Sequence, residues 1–446
     1  MKQTRTKAPL LKVTLAAILI VPPTLVLPPL GASGSLPQIL ALGVFALWLA
    51  SAVLGLHDPI PYRHPGRAAV MALMFASCLS YGNLFLGLSG ASTVEGRAAA
   101  DRWILLMLAV VGIAFVTTES VHRLEDALSL TRWVLAGGSF CAIIAIIQFT
   151  TRINPVEWFP AVLPGFSENG AASSFQVRDA LMRVAGTTLH PIELGVVTAM
   201  LLPLAVWRAI NDPLGRRWTH WLTVALLLMA NALAVSRSAL LAIAVALMVM
   251  VPALPPLARR WTTVVIPGAL AAFFVAVPGL VSTLATSVAE GGDDSSIQWR
   301  LDDYPLAENL VGSHPWFGSG PGTYLPLDAK DNFDNQYLLT AVTLGIVGLV
   351  AFAAYTVVPA LSALGVMWTS KDPSLRLLAS SAAAGSLIAA VASATFDSMS
   401  FPVFALIFPF FIGLGGAARR MQGNGPPGIE RNLQLPQHVH RHPIAT

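Results

Sequence analysis

A chain of 446 residues that is 55% hydrophobic and only 11% charged cannot present the surface of a soluble protein, where roughly a quarter of residues carry charge. Apolar stretches of about 18 residues or more recur from end to end, each long enough to cross a hydrocarbon core of about 30 Å as a helix, which leaves no room for a large soluble domain. The net charge of +4 says less than the placement of Lys and Arg, and Cys78 and Cys141 both lie inside apolar stretches, which argues against a disulfide framework or a Cys-based metal site.

The periodicity predicts an all-α polytopic membrane protein with about twelve spans, near residues 13–30, 36–56, 68–88, 103–118, 133–150, 190–207, 218–235, 239–256, 262–285, 336–358, 376–396 and 401–416. The first is read as an uncleaved helix kinked by Pro22 and Pro23 rather than a signal peptide, because its apolar run exceeds a typical signal core. Residues 1–150 hold the first five spans, 151–358 form a core with two long connections at 151–189 and 286–335, 359–418 hold the last two spans, and 419–446 read as a disordered tail rich in Pro, Gly, Asn, Gln and His. In the second long connection Ser296 is placed to cap an amphipathic helix whose apolar face runs through Ile297, Trp299, Leu301 and Tyr304, ahead of the Gly/Pro turn Gly318-Ser319-Gly320-Pro321-Gly322.

Numbered through this topology, 19 of the 27 Lys and Arg fall on the side of the N-terminus. The other eight are Arg97, Arg102, Arg152, Arg178, Arg183, Arg237, Arg300 and Lys330, and they are spread over much longer connections. The bias predicts cytoplasmic termini and places both long connections on the non-cytoplasmic side of a cell (inner) membrane.

The helix centres are nearly free of Asp, Glu, Lys and Arg, whereas coupled transporters place ionisable groups at mid-membrane. The polar groups collect instead at the outer helix ends. Three outer arginines, Arg183, Arg237 and Arg300, have the planar donor forks that suit a diphosphate. They equally suit snorkelling to headgroups or pairing with acids such as Asp302 and Asp303. Asp334 can serve as a general base or as the cap of the tenth span. His190-Pro191 can open a helix with Glu193 favourable in its first turn, or His190 and Glu193 can face a substrate, as can His314 and Asn335. Trp158, Trp299 and Trp316 fit an aromatic belt. His438, His440 and His442 alternate in the tail without partner ligands, so no metal site is expected.

Taken in order, Arg183-Val184-Ala185-Gly186-Thr187-Thr188-Leu189-His190-Pro191, Ser236-Arg237-Ser238, Arg300, His314-Pro315-Trp316-Phe317-Gly318-Ser319-Gly320-Pro321-Gly322, Asp334-Asn335-Gln336-Tyr337-Leu338 and Leu344-Gly345-Ile346-Val347-Gly348-Leu349 resemble the O-antigen ligase and polymerase family over roughly residues 180–350. The resemblance implies a membrane glycosyltransferase that takes a glycan from undecaprenyl diphosphate at the outer face and passes it to an acceptor hydroxyl on a glycan or glycolipid. It implies no cofactor, metal, nucleotide sugar or nucleic-acid partner. By motif position Arg183, Arg237 and Arg300 would hold the diphosphate, and Asp334, with Arg300, would be catalytic. Ligases of this family carry His where Asp334 stands, so either Asp334 takes the proton or the chain belongs to a polymerase branch. A flippase or exporter of lipid-linked oligosaccharide is the alternative, and it requires a charged central cavity that the sequence does not supply.

Overall fold

The computed structural model describes residues 8–89, 93–170, 175–178, 181–264, 268, 295–326 and 332–423. Thirteen α-helices stand in the described residues: α1 Pro9–Ile20, α2 Leu36–Val53, α3 Pro65–Phe85, α4 Val94–Ser120, α5 Leu124–Thr151, the single turn α6 Phe159–Val162, α7 Pro191–Asn211, α8 Arg217–Leu233, α9 Arg237–Met250, α10 Ser295–Ser313, α11 Gln336–Thr369, α12 Pro373–Ala392 and α13 Pro402–Gly423. Eight of them, α2 to α5, α7 and α11 to α13, are long and apolar enough to cross a membrane. α1 and α9 are apolar but shorter. The chain is therefore an all-α polytopic membrane protein; of the expected span at 262–285 all but residues 262–264 and 268 lies outside the described residues, as does the tail from residue 424.

α13 runs through the middle of the bundle. Every residue from Val403 to Ala418 is buried, as expected of a helix that is apolar all round and has protein on all sides. α13 stays helical to Gly423, so the tail does not begin at 419 as the composition suggested. The end of the bundle that receives the C-terminal turn of α13 is braced by charge. Arg420 donates to the Val121 carbonyl, and Asp212 accepts from Arg132 Nε at 2.9 Å, Arg132 Nη2 at 2.6 Å and Arg208 Nε at 3.2 Å.

The first span departs from expectation. Pro22 and Pro23 do not kink a long helix; α1 ends at Ile20, and the chain continues as a two-residue strand, β1 Leu25–Val26, and a 3₁₀ segment, Pro28–Gly34. Two adjacent prolines remove two amide donors and clash with the preceding turn, so the helix stops instead of bending. β1 pairs antiparallel with β2 Ser167–Glu168. A hairpin of β3 Phe175–Arg178 and β4 Leu181–Val184 follows, with Gln176 opposite Arg183. Strands this short carry little periodicity, and the sequence reading had none here.

The opposite end of α11 holds the largest irregularity. Gly345 sits at φ +68°, ψ −169° inside α11 and breaks it. In an unbroken helix Ile346 N would donate to Val342 O and Val347 N to Thr343 O. Here the loop 315–320 enters the break and takes over both halves of both bonds. Ser319 N donates to Val342 O at 3.1 Å and Gly320 N to Thr343 O at 3.0 Å, while Ile346 N donates to Pro315 O at 2.8 Å and Val347 N to Trp316 O at 3.3 Å. Ser80 Oγ adds a bond to Thr343 O at 2.9 Å. Only glycine fits on either side of the contact, because a Cβ on Gly345 would lie 2.4 Å from the Trp316 carbonyl carbon and one on Gly318 would lie 2.3 Å from that of Thr343. The Gly/Pro turn is thus locked into a membrane helix. Non-helical backbone is tolerated at such depth where protein satisfies it.

α10 packs on the first turns of α11. Ala307 is buried against Phe333 and Val342 with Leu306, Leu310 and Val311 around it, and Tyr304 is exposed. The side chains of 295–302, which include Ile297, Trp299 and Leu301, lie outside the described part.

Gly345→Ala tests the interlocking of the broken helix. A left-handed φ on a non-glycine residue plus the steric contact with Trp316 should destabilise the protein by about 2–4 kcal/mol. Thermal unfolding in detergent should register this as a lower midpoint; a midpoint equal to wild type would contradict the interlocking.

Candidate active site at the loop-bearing end of the bundle

The segment Arg183–His190 crosses the end of the bundle from β4 to α7, and it is tied down from four directions. Arg183, 7% exposed, donates from Nε to the Ala234 carbonyl at 3.1 Å. Gly186, at φ +62°, donates its N–H to Gln148 Oε1 at 2.8 Å and accepts from Gln148 Nε2 at 3.0 Å. Thr187 Oγ1 donates to the Leu19 carbonyl at 2.6 Å, using an acceptor that the early end of α1 leaves open. Leu189 N donates to Glu193 Oε2 at 2.8 Å.

The Ala234 carbonyl held by Arg183 belongs to the turn between α8 and α9. Val235 in that turn is at φ +43°, a left-handed conformation that costs a β-branched residue energy and survives only where the surroundings impose it. Arg237 opens α9 directly after it and is half-buried. Ser236 occupies the N-cap position without a side-chain cap bond. Arg183 and Arg237, far apart in sequence, therefore meet at one turn, beside the partial positive charge of the α9 N-terminus. This is an arrangement suited to an anion.

His190 is the N-cap of α7, its Nδ1 accepting from Ile192 N at 3.1 Å. Burial, with the Arg183 charge nearby, pushes its pKa down to about 4, so the ring is neutral at physiological pH with its proton on Nε2. Its ring lies edge-on to Phe401, centroids 5.8 Å apart. Glu193, fully buried, accepts from Phe404 N at 2.9 Å as well as from Leu189. It thus caps its own helix and the start of α13 with one carboxylate, and both of its oxygens are engaged by backbone.

The cap of α11 is Asn335, whose Oδ1 accepts from Tyr337 N at 2.9 Å and Leu338 N at 3.4 Å. Asp334 does not cap that helix. It is exposed, and its charge acts on a second acid with no motif around it in the sequence, Asp397 in the connection from α12 to α13. Burial raises the Asp397 pKa to about 6, opposed by a hydrogen bond with Ser400 and reinforced by the Asp334 charge. The backbones around the two acids are fastened together: Gln336 N donates to Ser393 O at 2.8 Å, and Met399 N to Gln336 Oε1 at 2.8 Å. His314 pairs through Nδ1 with Ser313 Oγ at 3.0 Å, and its carbonyl accepts from Gly318 N at 3.0 Å, so it starts the loop that fills the α11 break. Arg300 lies on α10, and its side chain is outside the described part.

Arg183 is thus fixed to the turn that Arg237 follows, His190 packs on Phe401 of the 396–401 connection, and Asp397 lies in that same connection. Asp397 was missed because nothing adjacent in sequence marks it; Gln148 was missed as one polar residue near the end of an apolar run. A polytopic helical bundle with a polar centre at its loop-bearing end is the class these features define. Residues 222–353 match the family described as O-Antigen ligase, and that segment carries Arg237, Arg300, His314, Asp334 and Asn335. Arg183, His190 and Glu193 precede the matched segment. No curated protein matches the chain.

Glu193→Ala should leave two buried amides without an acceptor and destabilise the protein by about 2–4 kcal/mol, while Glu193→Gln, which keeps one carbonyl acceptor, should lose less than half of that. Comparing the two unfolding midpoints in detergent checks the role. Equal losses for both variants would mean that the carboxylate does something other than accept from these amides.

Proposed function

We propose that the protein transfers or polymerises a glycan from an undecaprenyl-diphosphate carrier onto an acceptor hydroxyl, at the outer face of the cell membrane with both termini in the cytoplasm. What carries this reading is the meeting of Arg183 and Arg237 at the 234–236 turn, at the same end of the bundle as the Asp334–Asp397 pair. The diphosphate would lie against the two guanidinium groups and the α9 N-terminus, with Arg300 as a further ligand. The acceptor oxygen attacks the anomeric carbon, and the bond from that carbon to the diphosphate oxygen breaks. The electron pair leaves on the diphosphate, where the arginines stabilise the developing charge. The acceptor proton passes to a carboxylate of the Asp334–Asp397 pair. His190 and Glu193 serve this reading by placing the arginine segment, and Asn335 by leaving Asp334 uncommitted to the cap. Attack opposite the leaving group inverts the anomeric configuration.

Arg183→Ala, Arg237→Ala and Asp334→Asn should each lower glycan transfer about 100-fold or more and make undecaprenyl-diphosphate glycan accumulate in membranes. Variants that insert normally and process the carrier at wild-type rates would overturn the assignment. An acid in this pair must be ionised to accept a proton, so with Asp397 at about 6 activity should fall as pH drops through about 6. Asp397→Asn should abolish that limb of the profile; persistence of the limb would remove Asp397 from the proton path.

A further inference from the structure

Gln148 lies in α5, outside every motif, and is fully buried three residues before the helix ends. A buried primary amide is expensive unless its donors and acceptor are used, and here they are. Oε1 accepts from Gly186 N at 2.8 Å, and Nε2 donates both to Gly186 O at 3.0 Å and to Asn154 Oδ1 at 3.0 Å. The side chain therefore treats Gly186 as a neighbouring strand would, engaging both its N–H and its C=O. Gly186 can accept this embrace only as glycine, since at φ +62° its missing Cβ would lie 2.8 Å from the Cys141 carbonyl oxygen and 2.9 Å from Cys141 Sγ, one turn and more along the same helix.

The clamp sits three residues after Arg183 and four before His190. On one side, Arg183 reaches the Ala234 carbonyl beside the strained Val235; on the other, His190 caps α7. Thr187 and Leu189 are anchored through single bonds, whereas Gly186 is the residue of this segment held at both backbone groups by one side chain. Asn154 in turn fixes the clamp, because its Oδ1 accepts from Gln148 and from Val156 N at 3.3 Å. The first turn after α5 is thereby coupled to the arginine segment.

We infer that Gln148 is a positioning residue for glycan transfer: by gripping Gly186 it sets where the Arg183 guanidinium meets the diphosphate of the lipid-linked donor. The inference rests on the proposed role of Arg183. A displacement of about 1 Å at a binding group costs up to about 100-fold in rate, so the effect should be large although Gln148 touches no substrate. Gln148→Leu should raise the KM for the undecaprenyl-diphosphate glycan about tenfold or more with a smaller change in kcat. Gln148→Glu, which keeps the acceptor for Gly186 N–H and loses the donor, should recover part of the loss.

The deciding measurement is a double-mutant cycle on purified, folded protein, with unfolding midpoints recorded alongside. If Gln148 acts through Arg183, Gln148→Leu added to Arg183→Ala causes no further loss. Multiplying losses would overturn the positioning role and leave a purely structural one. A wild-type KM in Gln148→Leu, with Arg183→Ala impaired, would overturn the positioning role alone. A fully active Arg183→Ala would overturn the diphosphate reading and this inference with it. Should Gln148→Leu fail to fold, Gln148→Glu carries the same cycle.

Discussion

Everything irregular in this bundle answers to one constraint: a backbone N–H or C=O taken out of a helix inside the membrane must find a partner within the protein, since lipid offers none. The break in α11 meets it through the loop 315–320, which supplies two donors and two acceptors where two helical bonds are missing. The early end of α1 meets it through Thr187. The segment 183–190 meets it through Gln148 and Glu193. The loop in the α11 break and the segment 183–190 also adjoin candidate functional residues, because a fixed, non-helical chain can aim a side chain that a regular helix would point elsewhere.

Satisfying the backbone also transmits position. The loop in the α11 break joins α10, on which Arg300 lies, to the helix preceded by Asp334. Glu193 joins α7 to the start of α13, and the connection ahead of α13 contains Asp397. Gln336 joins that connection to α11. The segments that carry Arg183, Asp334 and Asp397 are thereby linked by hydrogen bonds at the loop-bearing end, while the opposite end is braced separately by the Arg132–Asp212–Arg208 group.

Much of this was legible beforehand. Length, apolar runs and the scarcity of charge gave the class, and the ordered motifs gave a likeness that the match over 222–353 bears out. The starts of α7, α9 and α11 fell close to expectation because His190-Pro191, Ser236-Arg237 and Asn335 sit where helices start. Other readings failed for identifiable reasons. Pro22-Pro23 ended a helix because two missing amides are beyond what a kink absorbs. The hairpin 175–184 is too short for its alternation to stand out.

The sequence by itself determined that the chain is a membrane bundle, which residues are polar enough to carry chemistry, and the order in which they occur, because hydropathy and helix-start chemistry are local. Only the tertiary structure decided which of them meet. That Arg183 reaches the turn before Arg237, that the Asp334 charge acts on Asp397, and that the Gly/Pro turn at 318–322 enters the helix broken at Gly345 are relations between residues more than 20 positions apart. Such relations depend on how helices pack around α13 and on where broken backbone finds its partners, and neither is written in any one stretch of the chain.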